Sequence, residues 1–258
     1  MVSTSSESTS SEVTQANESV PVAYYWEQDM GGYAYRESDS AHISLVWWAE
    51  IDGDACYVDA ANELWGLAFG INAAGEASAM LIGPSFEPRR LQLRYGDRWW
   101  GVELPAHVFV RGRSKAQLLG EMHPLETDGR WFEFGGVRLA VPERGKLEDI
   151  VHTMIREGVL GVDDGVAAAL AGQSVACSRR SLHRHTVHAA GMGMKKIEQL
   201  RRVRAAYSLL LNGMDLASAA YEAGFADQAH MTREFTRLAG SSPTRILAAS
   251  APPFASRP

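Results

Sequence analysis

Cysteine is scarce in this sequence, and Lys and Arg are absent from its first 19 residues. The 258 residues contain two cysteines, Cys56 and Cys177, which lie far apart and form no CxxC pair. This spacing disfavours a disulfide framework or a zinc site, so two plain thiols in a reducing cytoplasm are expected. Residues 1–19 contain no Lys or Arg and no apolar run, so they predict neither a secretory signal nor a membrane span.

The first 20 residues are instead rich in Ser, Thr and Glu. Segments with so few apolar side chains cannot bury enough surface to fold, and residues 1–20 are therefore expected to form a disordered tail. The remaining chain has enough apolar residues for a sizeable core, since 46% of the whole sequence is hydrophobic. This length and composition predict an ordinary globular protein of one or two domains.

Basic residues are fewer than acidic residues in the whole chain, but they are concentrated at the C-terminal end. The chain has a net charge of −6, whereas residues 158–258 alone carry 12 Lys and Arg against 7 Asp and Glu, a net charge of +5. The residues before Gly158 therefore carry −11. Local positive charge is what phosphate binding requires, so the acidic total does not exclude a nucleic-acid partner.

Tryptophan is absent after residue 131, and apolar residues before that point alternate with polar ones. The stretch HISLVWWAEID places five apolar residues on one side of a strand, namely Ile43, Leu45, Trp47, Ala49 and Ile51. RLQLRYGDRWWGVELP and RWFEFGGVRLAV show the same period of two, with Gly-containing breaks between the runs. Residues 21–142 are therefore predicted to form an antiparallel β-barrel or sandwich.

After Pro142 the apolar spacing changes to that of amphipathic helices. GKLEDIVHTMIREGVL carries Leu147, Ile150, Val151 and Met154 at the positions of one helical face. Residues 143–258 are accordingly predicted to be a helical domain. The fold class predicted for the whole chain is α+β with two domains, a β-rich first domain and an all-α second domain.

The helical part contains an internal repeat with an offset of 49 residues. SRRSLHRHTVHAAGMGM (178–194) aligns with DQAHMTREFTRLAGSSP (227–243), and each copy begins on a good N-cap residue and stops near a glycine. A helical pattern precedes each copy, so two helix-turn-helix units are predicted at about 165–191 and 215–240. The intervening IEQLRRVRAAYSLLL predicts a connecting helix of about 15 residues, roughly 22 Å long. A rod of that length, with the half-widths of the two modules added, could hold two recognition helices near the ~34 Å that separates successive major-groove faces.

In each repeat the side opposite the apolar seam is polar and cationic. At about 100° per residue, the outward positions are Arg180, His183 and Arg184 in the first unit and Ala229, Thr232 and Arg233 in the second, with Gln228 at its N-terminal tip. Arg and Gln present the hydrogen-bonding groups that read guanine and adenine edges, so these seven are the predicted base contacts. Five other cations are predicted to contact phosphate: Arg179, Lys195, Lys196, Arg201 and Arg237.

The stretch AAYEAGFADQAHMTREFTRLAGSSP resembles the second helix-turn-helix motif of AraC/XylS-type transcriptional regulators. The resemblance is close over residues 216–246 and extends over about 165–246. It implies an all-helical domain whose two helix-turn-helix units bind one face of double-stranded DNA, and the family's base-reading positions coincide with the seven residues named above. Matching framework positions are Ala220, Gly224, Phe225, Gly240, Ser242 and Pro243.

The first unit departs from the family pattern at four positions. Ala176 replaces the usual turn Gly, Thr186 the core Phe, Met194 a Pro and Ile197 an aromatic residue. We therefore expect the first unit to contribute less to base recognition than the second. The resemblance further implies a cupin-like first domain used for ligand binding or homodimerisation, RNA polymerase as a partner, and a bacterial cytoplasmic protein with no membrane partner.

Two adjacent pairs of tryptophans indicate where a small-molecule effector would bind. Successive strand residues point to opposite faces, so one member of each pair, Trp47–Trp48 and Trp99–Trp100, must leave the core or line a cavity. These four residues are the predicted ligand pocket. Packing in the core is the competing role for most of the tryptophans.

Enzymatic chemistry is not indicated by the residue pattern. His42, His107 and His123 are scattered without an H-x-H on a strand, and the two cysteines lack the clustering that alkyl-transfer repair needs. No catalytic residue, metal site or cofactor is predicted. The predicted function is that of a sequence-specific DNA-binding regulator whose first domain senses a small molecule. The alternative is an effector-independent regulator whose first domain only dimerises.

Overall fold

The computed structural model describes residues 24–26 and 32–249. The tail predicted at residues 1–20 lies outside the described residues. Antiparallel strands make up the N-terminal part and helices the C-terminal part, which confirms the predicted fold class. Within the described ranges, no helix combines the length and the apolar character needed to cross a bilayer.

Two antiparallel sheets dominate the β-rich domain. The strands of the described residues are β1 (Tyr24–Trp26), β2 (Tyr33–Glu37), β3 (Leu45–Glu50), β4 (Ala55–Asp59), β5 (Trp65–Ile71), β6 (Ala77–Ile82), β7 (Arg89–Leu93), β8 (Arg98–Leu104), β9 (Val108–Val110), β10 (Met122–Leu125), β11 (Trp131–Phe134), β12 (Val137–Ala140) and β13 (Leu160–Val162). Six of them form one sheet in the order β10-β6-β5-β8-β3-β2, and three form a second in the order β1-β4-β7. The described strands form separate sheets and not one closed sheet. Of the two architectures predicted from the sequence, barrel and sandwich, the domain is therefore a sandwich.

The six-stranded sheet buries one face in the main core and turns the other toward a cavity. Along β5, Trp65, Leu67 and Phe69 pack in the core, whereas Gly66 and Ala68 alternate with them on the cavity side. The second sheet lies across this cavity, since side chains of β4 and β7 also line it. The alternation predicted from the sequence therefore separates a packed face from a ligand-sized space.

Seven helices follow or accompany the strands in the described residues. They are α1 (Leu147–Arg156), α2 (Asp164–Leu170), α3 (Arg179–Ala190), α4 (Met194–Leu211), α5 (Leu216–Glu222), α6 (Gln228–Ala239) and α7 (Pro243–Ala249). The connecting helix α4 has 18 residues, or about 27 Å. It is one turn longer than predicted because its first turn begins directly after the N-cap Gly193.

Helix α1 and strand β13 pack with the β-rich domain. Leu147, Val151 and Met154 are buried in the core beneath the six-stranded sheet, and β13 pairs antiparallel with β9. The boundary predicted at 142/143 groups both elements with the helical domain. In the structure, however, the apolar face of α1 packs in the same hydrophobic core as the strands and does not cover the later helices.

The two domains share an extensive contact around residues 58–63. Val58, Ala60 and Ala61 belong to the same apolar cluster as the helices α4 to α7, and the backbone N–H of Ala61 donates to the carbonyl of Leu238 at 2.8 Å. Beside this cluster, the carboxylate of Glu63 accepts from Arg201 Nε at 3.1 Å and from the guanidinium of Arg204. The helical domain is thus joined to the sandwich by apolar packing and by a charged contact.

Candidate nucleic-acid interface and ligand cavity

Helices α3 and α6 are two copies of one structural unit. Each has 12 residues, and the N-cap side chains of Ser178 and Asp227 accept hydrogen bonds from the backbone N–H three residues later. Each helix ends at a glycine in the left-handed conformation, Gly191 with φ 75° and Gly240 with φ 79°. All four capping residues are related by the 49-residue offset, so the sequence repeat corresponds to a repeat in the fold.

The turn in front of each copy also depends on a glycine. Gly224 follows α5 with φ 74°, and Gly172 follows α2 with φ 73°. Each unit therefore has a left-handed glycine two residues past the end of its first helix. Eight residues separate α2 from α3 and five separate α5 from α6.

Thr186 occupies a core position in the first unit without leaving an unpaired hydroxyl. Its side chain is fully buried, and its Oγ1 donates to the carbonyl of Leu182 at 2.8 Å. The equivalent residue of the second unit is Phe235, also fully buried. The smaller threonine fits because α3 packs against the Lys115–Leu118 3-10 helix and β9 of the sandwich.

The predicted base-reading side chains lie mainly on exposed positions. Arg180, His183 and Arg184 are exposed on α3, Gln228, Ala229 and Arg233 are exposed on α6, and Thr232 is half-buried. His185, two residues from His183, points elsewhere and lies 3.0 Å from the carboxylate of Asp163. The outward faces of both helices are thus accessible to solvent, whereas Met231 and Phe235 on the opposite face of α6 are buried.

The five predicted phosphate contacts have different surroundings. Arg179 and Lys195 are exposed. Lys196 lies 4.9 Å from the centre of the Phe86 ring, and burial lowers the pKa of its ammonium. Arg237 pairs with Glu234 at 2.7 Å, and this pairing holds the pKa of the Glu234 carboxyl below its usual value.

Arg201 is placed at the domain contact rather than on an open surface. Its Nε donates to Glu63 and its Nη1 donates to the carbonyl of Leu170 at 2.8 Å. These partners engage two of the three nitrogens of its guanidinium. Glu63 itself was not singled out from the sequence, although a carboxylate in the otherwise uncharged run AANELWGL is the kind of residue that must be paired when buried.

The charged contact at Glu63 extends to a buried lysine. The ammonium of Lys115 is fully buried, donates to the carbonyl of Ala106 at 3.2 Å and lies 5.0 Å from the centre of the Trp65 ring. Burial lowers the pKa of Lys115 well below its ordinary value, and the Glu63 carboxylate opposes that shift. Glu63 therefore compensates positive charge on both sides of the domain contact.

The cavity between the two sheets has a volume of about 310 Å³, within the range of small-molecule sites. Two glycines make room for its aromatic wall. A Cβ on Gly70 would lie 2.6 Å from the Trp99 ring, and one on Gly101 would lie 2.7 Å from the Trp47 ring. Both indoles therefore lie flat against the sheet, with Tyr33 and Tyr57 also on the wall.

The four predicted pocket tryptophans divide between two faces. Trp47 and Trp99 line the cavity. Trp48 lies 5.3 Å from the Arg144 guanidinium, and Trp100 Nε1 donates to the carbonyl of Pro142 at 2.9 Å. Since Trp48 and Trp100 pair directly across β3 and β8, the other two necessarily face the opposite side.

Charged residues also reach the cavity wall. Arg89 Nε donates to the Asp59 carboxylate at 3.0 Å, so these two charges compensate each other. Glu103 lies on β8, and burial raises the pKa of its carboxyl to about 7, with Arg204 acting in the opposite direction. The sequence did not reveal Glu103 as a cavity residue, because its place on an alternating strand is that of a solvent-facing position.

We predict that the two thiols do not form a redox switch. Cys56 and Cys177 are free cysteines located in the sandwich and in the helical part, and neither has a neighbouring cysteine to complete a disulfide. Mild peroxide should leave duplex affinity unchanged in a fluorescence-anisotropy titration. A thiol-reversible loss of affinity, absent from the Cys177→Ser variant, would contradict this.

The helical domain is similar to a known family of DNA-binding domains. Residues 172–249 match a family model described as a helix-turn-helix domain. The resemblance to AraC-type regulators is thereby confirmed for the C-terminal part of the chain. A comparison with curated proteins finds no match.

Solved structures of ToxT from Vibrio cholerae share a distant similarity with the chain. The P21 crystal form is 11% identical with a TM-score of 0.37, and the alignment covers 85% of this chain and 99% of that one. ToxT from strain O395 is 12% identical with a TM-score of 0.38, covering 85% and 98%. Wild-type ToxT bound to an unsaturated fatty acid is 10% identical with a TM-score of 0.38, covering 85% and 96%.

Proposed function

We propose that this chain, whose residues 172–249 match a helix-turn-helix family, is a transcriptional regulator that reads duplex DNA with α3 and α6. The observation that carries the proposal is the structural repeat. Two capped 12-residue helices, 49 residues apart, expose arginines at equivalent positions, Arg184 and Arg233. Guanidinium groups on the outer face of a helix of this size suit bidentate contacts in a major groove.

Selection from a random duplex pool with the full-length protein tests DNA reading. The expected result is one enriched motif with two parts about 10 base pairs apart, one for each recognition helix. The matched control is the Arg184→Ala/Arg233→Ala double variant, which changes exposed side chains and should retain the unfolding temperature of the parent. If neither the parent nor the double variant enriches any sequence from the pool, sequence-specific recognition is refuted.

The cavity supports a regulator that also senses a small molecule. Its aromatic wall and its volume suit an apolar or aromatic ligand, and residues Asn62 and Leu64 of that wall flank Glu63 at the domain contact. A homodimer and contact with RNA polymerase are implied by the family resemblance and belong to the same proposal. No catalytic role is included, because the proposed activity is DNA binding.

If the cavity binds an effector, the bound ligand should stabilise the folded protein. A ligand at 100 times its dissociation constant adds about 2.7 kcal/mol of stability, which for a chain of this size raises the unfolding temperature by about 5 °C or more. A metabolite panel should therefore contain a compound that raises the unfolding temperature and changes tryptophan emission, since Trp47 and Trp99 line the cavity.

The control for effector sensing is Ala68→Leu, which adds volume to the cavity wall. This variant should fold and bind DNA but lose the response to the compound. If no compound in a broad panel shifts either signal, the alternative regulator, in which the first domain only dimerises, becomes the better account.

A further inference from the structure

The cavity carries one carboxyl group that no neighbour neutralises directly. Of the charged side chains along the described wall, Arg89 and Asp59 pair with each other, and Arg90 is an exposed residue whose guanidinium approaches Cys56. The Glu103 carboxylate accepts no hydrogen bond from any residue of the described chain. Glu103 is half-buried and lies on the cavity wall, so its carboxylate can accept a hydrogen bond from a ligand in the cavity.

The position of Glu103 relative to the aromatic wall indicates what that partner is. Trp99, Gly101 and Glu103 occupy alternate positions of β8 and so lie on one face. The Trp47 ring covers Gly101, which places an indole between Trp99 and Glu103. Aromatic faces carry negative potential and attract cations, as a carboxylate does. Both features favour positive charge at this end of the cavity.

We propose that the cavity selects an apolar or aromatic amine, whose ammonium group contacts Glu103 and whose body packs between Trp47 and Trp99. The proposal deepens the proposed function by naming the ligand class of its effector site. It also excludes a class, because a carboxylate ligand would bring a second negative charge beside Glu103. Arg89 does not offset this, since Asp59 already engages it.

The groups around Glu103 set the expected pH dependence. Arg204 of α4 favours the ionised carboxyl, while Glu63 pairs with the same arginine. Across the cavity, burial raises the pKa values of Asp59, Tyr33 and Tyr57, while the Arg89 guanidinium opposes the shift at Asp59. Burial raises the pKa of the Glu103 carboxyl to about 7, and the side chain lies on the cavity wall, so its ionisation changes the charge that a ligand meets. Amine binding should strengthen by about tenfold from pH 6 to pH 8 as this carboxyl ionises.

Calorimetric titration of the full-length protein tests the ligand class with three probes that share a four-carbon chain ending in a phenyl ring and differ only in the polar group. The probes are 4-phenylbutylamine, 4-phenylbutan-1-ol and 4-phenylbutanoate. At pH 8 the amine should bind at least about tenfold more tightly than the carboxylate, with the alcohol between them. Tighter binding of the carboxylate, equal binding of all three, or binding of none would overturn the proposal.

Two variants separate the chemistry of Glu103 from a general change in the cavity. Glu103→Gln keeps the size of the side chain and should abolish both the preference for the amine and its pH dependence. Trp47→Leu keeps an apolar wall and should weaken the amine about two- to fivefold more than the alcohol. An unchanged amine preference in both variants would contradict the assignment, and unfolding temperatures verify that each variant is folded.

The titrations contain no DNA, so their outcome is independent of DNA reading. Failure of the duplex selection would remove the proposed function while leaving the cavity's amine preference measurable. Conversely, a tightly bound amine that leaves duplex affinity unchanged would preserve the ligand class and remove its role as an effector.

Discussion

Replacing Arg233 with alanine should weaken binding to the preferred duplex by about 1 to 3 kcal/mol and relax the preference at one base pair. The side chain is exposed on α6, opposite the buried Met231 and Phe235, and the described residues offer it no ion pair. Its guanidinium is therefore available to a guanine edge. Competition titrations with duplexes altered one base pair at a time would measure the loss.

The matched control is Arg237→Ala on the same helix. Arg237 is predicted to contact phosphate, so its loss should weaken all duplexes about equally and reduce the salt slope by about one ion. Its pairing with Glu234 competes with phosphate and should keep this effect small. Equal, sequence-independent losses from both variants would show that α6 does not read bases.

Arg184 is the repeat equivalent of Arg233 and should act about one helical turn away on the duplex. Because the first unit departs from the family pattern at four framework positions, Arg184→Ala should cost less than Arg233→Ala. The longer turn between α2 and α3 gives a structural reason to expect this order.

Replacing Glu63 with alanine should destabilise the protein by about 3 kcal/mol, as expected when one member of a buried ion pair is lost. The Glu63 side chain is 1% exposed, and the change would leave Arg204 and the buried Lys115 without their counter-charge. For a chain of this size the unfolding temperature should fall by about 6 to 12 °C. Differential scanning calorimetry would measure the change.

Glu148→Ala provides the comparison for an accessible ion pair. Glu148 pairs with Arg36 at 3.0 Å, but the two side chains are 30% and 55% exposed. Solvent screening limits such a pair to about 1 kcal/mol or less. A loss from Glu63→Ala no greater than that from Glu148→Ala would refute a structural role for the charged domain contact.

The helical domain was accessible to sequence reasoning because its determinants are local. N-cap residues, C-terminal glycines and the apolar seam of α6 are all encoded within one or two helical turns, and the structure contains each of them. The extra turn of α4 was missed because a glycine cap carries only a weak signal. The left-handed Gly172 was missed because it lies outside the family spacing.

The cavity and the domain contact were less accessible because both depend on residues distant in sequence. Alternation identified the two faces of β3 and β8, yet it gave no sign of which face would meet the second sheet. Arg201 illustrates the same limit. Its helical position suggested an outward cation, whereas Glu63, 138 positions earlier, binds it in the folded chain.

The stretch from Ala60 to Leu64 contributes to both the cavity wall and the packing of the helices. Binding free energies do not depend on the order in which two ligands arrive. If a cavity ligand shifts this stretch and strengthens the DNA complex by some factor, DNA must strengthen ligand binding by the same factor. The concentration of effector needed for half-saturation would then depend on how many operator copies are present, and duplex fragments would act as co-ligands in any binding assay.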